Sequence, residues 1–374
     1  MMTWRHGVVR SLGRRWGEAQ ELEVEITAAE AGTRPVRALA YLSLVGELAV
    51  GAPVALNTTA LQRGLGTGGY AFVVAPLERL PADPPPGPGH IVKARYTPQQ
   101  VMVLGADEQD SPHHEVLQEA DDLHGIPVVA ADLHSALPAI IAGARARAQR
   151  AGNVPPRVAY LMTDSAALPA AFSRSAAALA EAGWLCGTVT AGQAYGGDLE
   201  AVSVHSGLLA ARLVLGADLV VAAQGPGNAG TGTRWGFSGV SVGETLNAAA
   251  VLGGRPVAAL RVSGADERPR HYGLSHHSTT AIGRVALAPV DVAVPQLQGA
   301  LGARVHQQVR GLPARHRVVQ VATDWLLPLL AETPVRLSTM GRGLAEDPAP
   351  FLAAGAAGVH AAGLVPGHQG GQPA

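Results

Sequence analysis

From residue 98 onward, the chain repeats one order of segments: a short apolar run, a polar loop and an amphipathic stretch. Apolar runs of about 4–8 residues that alternate with amphipathic helices are typical of parallel strands covered on both faces. The repeat therefore predicts an α/β fold, a doubly wound, mostly parallel sheet with helices on both faces. The predicted strands have the sequences VMVLGA, IPVVAA, RVAYLM, GTVTA, DLVVAA, PVAALRV, VDVAVP, RVVQVA and VRLST.

The first 80 residues have a different pattern, in which short apolar runs are separated by Gly, Pro and Thr. This pattern predicts a small β-barrel or sandwich. Five prolines within residues 81–89 mark a domain boundary, because a proline-rich stretch is stiff and cannot continue a sheet. We therefore predict a small β domain at 1–80, a proline-rich linker and extended segment at 81–97, a Rossmann-like α/β domain at 98–364 and a disordered tail at 365–374.

Composition argues against several classes of partner. The chain has 28 basic and 29 acidic side chains and only 4% aromatic residues, so it lacks the basic surface and stacking platforms of nucleic-acid-binding proteins. Its single cysteine, Cys186, excludes an internal disulfide and fits a reducing compartment. No apolar stretch reaches the ~18 residues of a membrane span, and the N-terminus has no secretory pattern. We expect a cytoplasmic protein with no membrane partner, and a homodimer, the commonest oligomer.

Polar residues follow most of the predicted strands. In an open parallel sheet, ligands bind outside the carboxyl ends of the strands, where the strand order reverses. Any one of these loops is explained by helix N-capping, which favours Asp, Ser and Thr. Seven loops with His, Asp or Gly clusters favour a shared cleft, and they carry Asp110, His113, Asp132, His134, Asp164, Asp198 and Glu200.

The segment DSPHHE predicts a helix start, with Ser111 as N-cap and Pro112 at the first helical position. The positive end of the helix dipole disfavours imidazolium there, and neutral imidazole is the form that binds a metal or accepts a proton. We predict catalytic groups at Asp110, His113, His114, Asp164 and Asp198. A divalent ion such as Zn, Mn or Fe is a candidate cofactor, although no spacing equals a known metal motif and capping or core histidines are the alternative. The candidate ligands are Asp110, His113, His114, Asp132, His134, His276 and His277.

The stretch AAQGPGNAGTGTRWGFSGV contains a formal G-x-G-x-x-G after a strand. It does not fit a dinucleotide site, because no helix begins inside the motif and no acidic residue follows at the ribose position. It does not fit a phosphate loop, because Thr231 stands where lysine is required. Its N–H groups, hydroxyls and arginine can form an anion-binding nest, and a tight structural loop is the alternative. The predicted ligand-binding residues are Lys93, Gly225, Gly227, Asn228, Gly230, Thr231, Gly232, Thr233 and Arg234.

These motifs together resemble a bacterial family known as domain of unknown function 3866. The resemblance covers most of the chain, through NTTA, GLGTGGY, GHIVKARYTP, EQDSPHHE, DLHS, TDSAALP, GGDLEAV, GPGNAGTGTRWGFSG, SHHSTTAIGR and STMGR. It implies no catalytic roles, because the function of that family is not established. Its members usually have histidine where this chain has Gln193, so a histidine-dependent role is not carried over to that position.

Three functions are consistent with these observations. The first is an enzyme that acts on a small anionic metabolite, phosphorylated or carboxylated, in a cleft at the carboxyl edge of the sheet. The second is a non-catalytic nucleotide-sensing or metabolite-sensing scaffold whose N-terminal β domain binds a partner. The third is a purely structural protein, which explains neither the histidine pairs nor the glycine loop. Turnover and bound metal distinguish the first from the second.

Overall fold

The computed structural model describes residues 2–28, 32–66 and 68–365. The chain divides into two compact units, Met1–Pro88 with Ala94–Met102, and Gly89–Lys93 with Val103–Ala374. From residue 366 onward, the tail that was predicted to be disordered lies outside the described residues. Among the helices of the described part, none combines the length and the apolar character needed to cross a bilayer.

The first unit contains a closed five-stranded barrel in the order β1-β2-β3-β5-β4, as the short N-terminal runs predicted. The barrel closes because β1 pairs antiparallel with both β2 and β4, so neither strand is left as an edge. Its interior is filled by aliphatic side chains such as Val9, Val24 and Leu56, all fully buried. The elements are β1 (Trp4–Trp16), β2 (Ala19–Ala28), β3 (Gly32–Tyr41), α1 (Leu42–Val45), β4 (Pro53–Asn57), α2 (Thr59–Gln62) and β5 (Ala71–Pro76).

The remaining strands include eight that form one parallel sheet. In chain order they are β6 (Ile91–Lys93), β7 (Val101–Val103), β8 (Pro127–Ala131), β9 (Val158–Thr163), β10 (Gly187–Ala191), β11 (Leu199–Ala201), β12 (Leu219–Gln224), β13 (Arg255–Ala259), β14 (Val262–Ser263), β15 (Gly273–Leu274), β16 (Asp291–Gln296), β17 (Arg317–Ala322), β18 (Ser338–Thr339) and β19 (Arg342–Gly343). The sheet has the order β11-β10-β9-β12-β8-β13-β16-β17. Every residue of β8, β9 and β12 is buried, which is why these strands are continuous apolar runs.

Helices cover both faces of the sheet. Side chains of α4, α10 and α11 share one core with Val129 of β8, whereas those of α6 and α7 share another with Val128 of the same strand. Neighbouring residues of a strand face opposite ways, so the two cores lie on opposite faces. The helices are α3 (His114–Leu117), α4 (Leu137–Arg150), α5 (Arg174–Glu181), α6 (Val204–Leu213), α7 (Ser241–Val251), α8 (His276–Thr280), α9 (Gly299–Val309), α10 (Leu326–Ala331) and α11 (Ala349–Ala362).

The order of the strands reverses at the centre of the sheet. From β8 the chain proceeds to β9, β10 and β11 at one edge, and it then returns to β12, which lies between β9 and β8. From β12 it continues to β13, β16 and β17 at the other edge. The carboxyl ends of β12, β8 and β13 therefore border the crevice in which such sheets bind ligands.

Two predicted strands do not belong to this sheet. The run VMVLGA contributes β7 and, through Gly105, one isolated parallel bridge to Glu200 of the edge strand β11. The run VRLST contributes β18, which pairs with β19 in a two-stranded hairpin. VRLST alternates between more and less exposed positions, and the first four residues of VMVLGA are all partly or fully exposed, so neither run is covered on both faces. A short apolar run predicts a strand equally well in either situation, and the tertiary cover decides which sheet it joins.

Candidate functional site

The ends of three neighbouring strands meet at the carboxylate of Asp132. Asp132 directly follows β8 and is buried, with 6% of its surface exposed. Its Oδ2 accepts hydrogen bonds from Arg261 Nη1 at 3.0 Å and from His277 Nδ1 at 2.8 Å, and its Oδ1 accepts one from Asn228 Nδ2 at 2.9 Å. Arg261 follows β13 and Asn228 follows β12, so the site lies where the strand order reverses.

Asp132 is ionised in this setting. Burial by itself raises the pKa of a carboxyl group, but the hydrogen bond from His277 and the charge of Arg261 outweigh burial here and lower the pKa of Asp132. An ionised carboxylate only accepts hydrogen bonds, so we assign the shared proton to Nδ1 of His277. Arg261 Nη1 lies 2.9 Å from that nitrogen because both atoms point at the same oxygen.

Residues 225–239 form a hairpin-shaped loop, here called the glycine hairpin. Its geometry accounts for the many glycines in this segment. Gly230 and Phe237 form an antiparallel bridge, and Thr231 N donates to Gly236 O at 2.7 Å. A Cβ on Gly239 would lie 1.6 Å from Asp132 Oδ1. The glycine-rich sequence thus lets the backbone bend into a hairpin and approach the buried carboxylate closely.

The glycine hairpin also supports the groups around Asp132. The Phe237 ring stacks on the His277 ring, with centroids 3.8 Å apart and planes inclined by 12°. The amide oxygen of Asn228 accepts a hydrogen bond from Ser238 Oγ at 2.9 Å, which leaves its nitrogen directed at Asp132. One segment therefore fixes both the carboxylate and the imidazole.

Three histidines face one another next to this carboxylate. His276 and His277 begin α8, whose N-cap Ser275 accepts a hydrogen bond from His277 N at 3.2 Å. His271 lies in the loop before them, and the ring centroids of the three residues are 5.0, 5.1 and 4.5 Å apart. One potential ligand nitrogen from each lies within 4.8 Å of the others, so these residues could hold a metal ion. A π-helical turn at 281–285 follows α8, a distortion that often occurs at functional sites.

Two of these imidazoles are neutral at physiological pH. Burial lowers the pKa of His271 to about 3, and the charges of Arg261 and Arg268 act in the same direction. Burial also lowers the pKa of His276, with smaller contributions from His277 and Arg270. His271 Nδ1 lies 2.8 Å from Ser275 Oγ, whereas the buried Nε2 of His276 has no hydrogen-bond partner in the described part of the chain.

A small cavity adjoins Asp132, and no residue of the glycine hairpin lines it. Its volume is about 30 Å³, which is room for one or two water molecules. Arg261, Ser135 and Thr339 contribute polar groups to its lining, and Ser135 Oγ donates a hydrogen bond to Thr339 Oγ1 at 2.9 Å. The cavity therefore offers room for water beside the buried ion pair of Asp132 and Arg261.

The structure brings four of the predicted residues together: Asp132, Asn228, His276 and His277. Sequence reasoning missed His271 and Arg261. A signal for His271 was present, because the loop after β13 contains three histidines within seven residues, 271–277. Arg261 could have been inferred from its place two residues beyond the end of β13, the strand next to β8.

Asp110, His113 and His114 do not join this group. Their placement at the carboxyl edge followed from the prediction that VMVLGA is a strand of the main sheet, and it is not one. Asp110 is exposed, and His114 Nδ1 lies 2.9 Å from the carbonyl oxygen of Asp107. The predicted helix is the single turn α3, with His113 as its N-cap, and Ser111 Oγ instead accepts a hydrogen bond from His113 N at 3.1 Å.

His134 follows β8 as predicted, but both of its ring nitrogens bind residues outside the group around Asp132. Its Nε2 lies 2.7 Å from Ser173 Oγ, and its Nδ1 lies 3.1 Å from the Tyr160 hydroxyl. Burial lowers the pKa of His134 to about 4, so it is neutral at pH 7. With both ring nitrogens in hydrogen bonds, it has none left for a metal ion.

The remaining predicted acids are separate from the histidines. Asp164 follows β9, and its Oδ2 accepts a hydrogen bond from Gln193 N at 2.8 Å. Asp198 lies at the amino end of β11, where its Oδ2 accepts from Thr188 N at 2.7 Å, and not at the carboxyl edge where we expected it. The reason is that the chain must return to the amino end of the sheet before it can form another parallel strand.

Lys93 is a buried anchor and not an exposed ligand-binding group. Its ammonium donates to the carbonyl oxygens of Thr190 at 2.9 Å and Ala194 at 2.7 Å, and to Glu200 Oε2 at 2.7 Å. Burial lowers the pKa of Lys93, and the nearby carboxylate of Glu200 opposes that effect. All three of its N–H donors are used, which leaves none for a ligand.

The tip of the glycine hairpin is exposed and carries the predicted anion-binding groups. Thr231 Oγ1 lies 3.0 Å from Thr233 Oγ1, which accepts a hydrogen bond from Gly236 N at 3.1 Å. These hydroxyls thus stabilise the turn itself. Arg234 projects at this tip, and the guanidinium of Arg270 lies beside it, with Nη2 3.4 Å from the position of a Cβ on Gly232.

Comparison with known proteins adds a family but no activity. The family model described as "Protein of unknown function (DUF3866)" matches residues 37–358. That range includes every segment on which the family resemblance rested. No curated protein and no solved structure matches the chain.

Proposed function

This chain belongs to the DUF3866 family of proteins of unknown function, and we propose that it is an enzyme that acts on a small anionic metabolite. The observation that supports this proposal is the Asp132–His277 pair at the carboxyl ends of the central strands. A buried carboxylate that holds one nitrogen of an imidazole fixes the orientation of the ring and directs the other nitrogen at a reactant. Stability does not require such a pair, since a buried ion pair contributes little net free energy.

The arginines around the histidines support an anionic substrate. Arg261 is neutralised by Asp132, whereas Arg234 and Arg270 are exposed and pair with no carboxylate in the described part of the chain. Arg270 is adjacent to the histidines, because its carbonyl oxygen accepts a hydrogen bond from His276 N at 2.9 Å. A guanidinium suits phosphate and carboxylate groups, since its planar fork can donate two parallel hydrogen bonds.

The roles of the residues follow from their positions. Asp132 and Phe237 orient the ring of His277. The reaction takes place next to its other nitrogen, Nε2. Arg270, with Arg234 at the hairpin tip, binds the anionic group of the substrate. Asn228 holds the second oxygen of Asp132 and thereby keeps the carboxylate in place.

Binding of inorganic phosphate and of small dicarboxylates tests the substrate class. We expect calorimetry to show binding to the full chain, and Arg270→Gln to weaken it by about 10-fold or more, because a charge-assisted hydrogen bond is lost. Arg255→Gln is the matched control, since Arg255 is exposed at the amino end of β13. Equal affinities for the Arg270→Gln and Arg255→Gln proteins would contradict the role of Arg270.

Turnover tests whether the protein is an enzyme. Phosphorylated and carboxylated metabolites that stabilise the protein in a thermal-shift screen would be incubated with it, and the products identified by mass spectrometry. We expect conversion by the wild type and loss of conversion in His277→Asn, with ligand binding retained. Ligands that bind and are recovered unchanged would support the sensing alternative and overturn the proposed function.

A further inference from the structure

We infer that His271, His276 and His277 bind one divalent transition-metal ion, with zinc the best fit, and that this ion is the reactive group of the proposed site. The binding site rests on its own geometry, and only its catalytic role rests on the proposed function. The three histidines come from one short segment, 271–277, that the end of β13, the hairpin β14–β15 and the first turn of α8 hold in place.

The spacing of the three imidazoles suits a single ion. Their candidate ligand nitrogens lie within 4.8 Å of one another. Tetrahedral zinc with bonds of about 2.0–2.1 Å needs nitrogens roughly 3.4 Å apart. Rotations about the side-chain bonds of the histidines would bring the nitrogens to that spacing, and the stacked Phe237 ring keeps the plane of His277 fixed.

In two of the three rings, those of His271 and His277, the protein already holds the second nitrogen. His277 Nδ1 donates to Asp132 Oδ2 at 2.8 Å, and His271 Nδ1 donates to Ser275 Oγ at 2.8 Å in the tautomer that leaves Nε2 free. Metal-binding histidines in proteins usually have such a carboxylate or hydroxyl partner on the far nitrogen, because it fixes the tautomer and the ring orientation. A metal site requires such a partner on the far nitrogen, whereas a histidine that only fills space in the core does not.

His276 supplies an independent observation. Its Nε2 is buried and has no hydrogen-bond partner in the described residues. Buried polar atoms are rarely left without a partner, so an orphaned ring nitrogen next to two other histidines points to a ligand that completes it.

The donor set selects the kind of ion. Three imidazoles suit zinc, cobalt or iron(II), whereas magnesium and calcium prefer oxygen ligands. The carboxylate of Asp132 is neutralised by Arg261, so the ion keeps its positive charge and attracts an anionic substrate. Three protein ligands leave a position for water, whose pKa such an ion lowers toward neutrality.

Cobalt and zinc titrations of the full chain test the site. The protein would first be stripped with a chelator, then titrated with Co²⁺ while its visible absorption is followed, and Zn²⁺ would be added to displace the cobalt. We expect one ion per chain and the intense visible bands of tetrahedral Co²⁺. His271→Ala and His276→Ala should each weaken binding by more than about 100-fold, beyond the 10–100-fold expected for the outer partner in Asp132→Asn.

His205→Ala is the matched control, because His205 is exposed on α6 and belongs to no histidine group in the described residues. Circular dichroism of the stripped proteins would verify that each variant is folded. Unchanged cobalt binding in His276→Ala, or no stoichiometric ion in the wild type, would overturn the inference. Phosphate binding and turnover by the stripped protein would overturn the catalytic role of the ion while leaving the proposed function intact. Metal binding without any turnover would overturn the proposed function and the catalytic role of the ion, and it would leave only the metal-binding site.

Discussion

At the scale of single residues, the glycine hairpin shows that a local sequence pattern can predict a loop but not the distant residue that the loop contacts. The sequence suggested an anion-binding nest or a tight structural loop, whereas the glycines bring the backbone close to the side chain of Asp132, 107 positions before Gly239. No local pattern specifies that contact, because it depends on the neighbouring positions of β8 and β12 in the sheet. His277 was predicted as a possible ligand, and its orientation by Asp132 was not.

The first prediction concerns Gly239. In Gly239→Ala the new methyl group would lie 1.6 Å from Asp132 Oδ1, so the carboxylate or the hairpin must move. We expect a loss of about 1–3 kcal/mol in the free energy of unfolding, typical of overpacking, measured by urea denaturation. Gly230→Ala is the control, since the nearest atoms to its Cβ are 3.8 Å away. Equal stabilities of the two variants would contradict this account of the hairpin.

The second prediction concerns Lys93, the only lysine in the chain. Lys93→Met leaves Glu200 as a buried carboxylate without its ion-pair partner, 2.7 Å from the former ammonium. Removing one member of a buried pair costs about 3–5 kcal/mol, whereas replacing both costs much less than the sum. A double-mutant cycle with Glu200→Gln, followed by chemical denaturation, measures this coupling. Strictly additive losses would show that the pair does not act as a unit.

At the scale of elements, the alternation of apolar runs and amphipathic stretches predicted the main parallel sheet because its central strands are buried on both faces. It failed for VMVLGA and VRLST, which have the same local composition but lie outside that sheet. The alternation also carries no information on how closely two helices pack. The pair α4–α11 shows this, because its tight contact depends on glycines that look ordinary in the sequence.

The third prediction concerns this helix pair. A Cβ on Gly358 of α11 would lie 1.8 Å from the carbonyl oxygen of Ile140 in α4, so the helices must separate in Gly358→Ala. We expect a destabilisation of about 1–3 kcal/mol and a lower melting temperature, although alanine favours a helix by about 1 kcal/mol over glycine. Gly355→Ala is the control in the same helix, because its nearest neighbour, Leu326 Cδ1, is at an ordinary 3.4 Å. A melting temperature of Gly358→Ala at or above that of Gly355→Ala would be evidence against close backbone packing.

At the scale of the whole molecule, strand order decides which predicted site residues become neighbours. The carboxyl ends of β8, β12 and β13 are adjacent, so Asp132, Asn228 and the histidines after β13 meet. Sequence reasoning predicted that these loops share an edge, but strand order depends on pairing between segments far apart in the chain. Asp198 was expected at the same edge for the same reason, but it precedes β11 and lies at the amino end of that strand.

The contribution of His134 to the pH dependence of global stability is the last prediction; His271 and His276, whose pKa values burial also lowers, add to the same acid sensitivity. Burial lowers the pKa of His134 from 6.5 to about 4 in the folded protein, and the only titratable side chain among its hydrogen-bond partners, Tyr160, stays neutral because burial raises its pKa. The unfolded chain therefore takes up this proton at a higher pH than the folded one. Its contribution to stability is complete above pH 6.5 and is lost as the pH falls toward 4, by about 3 kcal/mol in total.

Chemical denaturation of the metal-free protein at several pH values between 7 and 4 measures this loss. We expect His134→Gln to show a shallower decline than the wild type, because glutamine has no proton to gain. Tyr160→Phe is the control: it removes the hydroxyl that lies 3.1 Å from His134 Nδ1 but leaves the buried imidazole, so the decline should persist. A decline of the same slope in His134→Gln would assign the acid sensitivity to other groups, such as His271, whose pKa burial lowers to about 3. The carboxylate of Asp291 does not contribute in this range. Burial raises its pKa, but His360 and Arg317 lower it to about 2, so its contribution is lost only below pH 4.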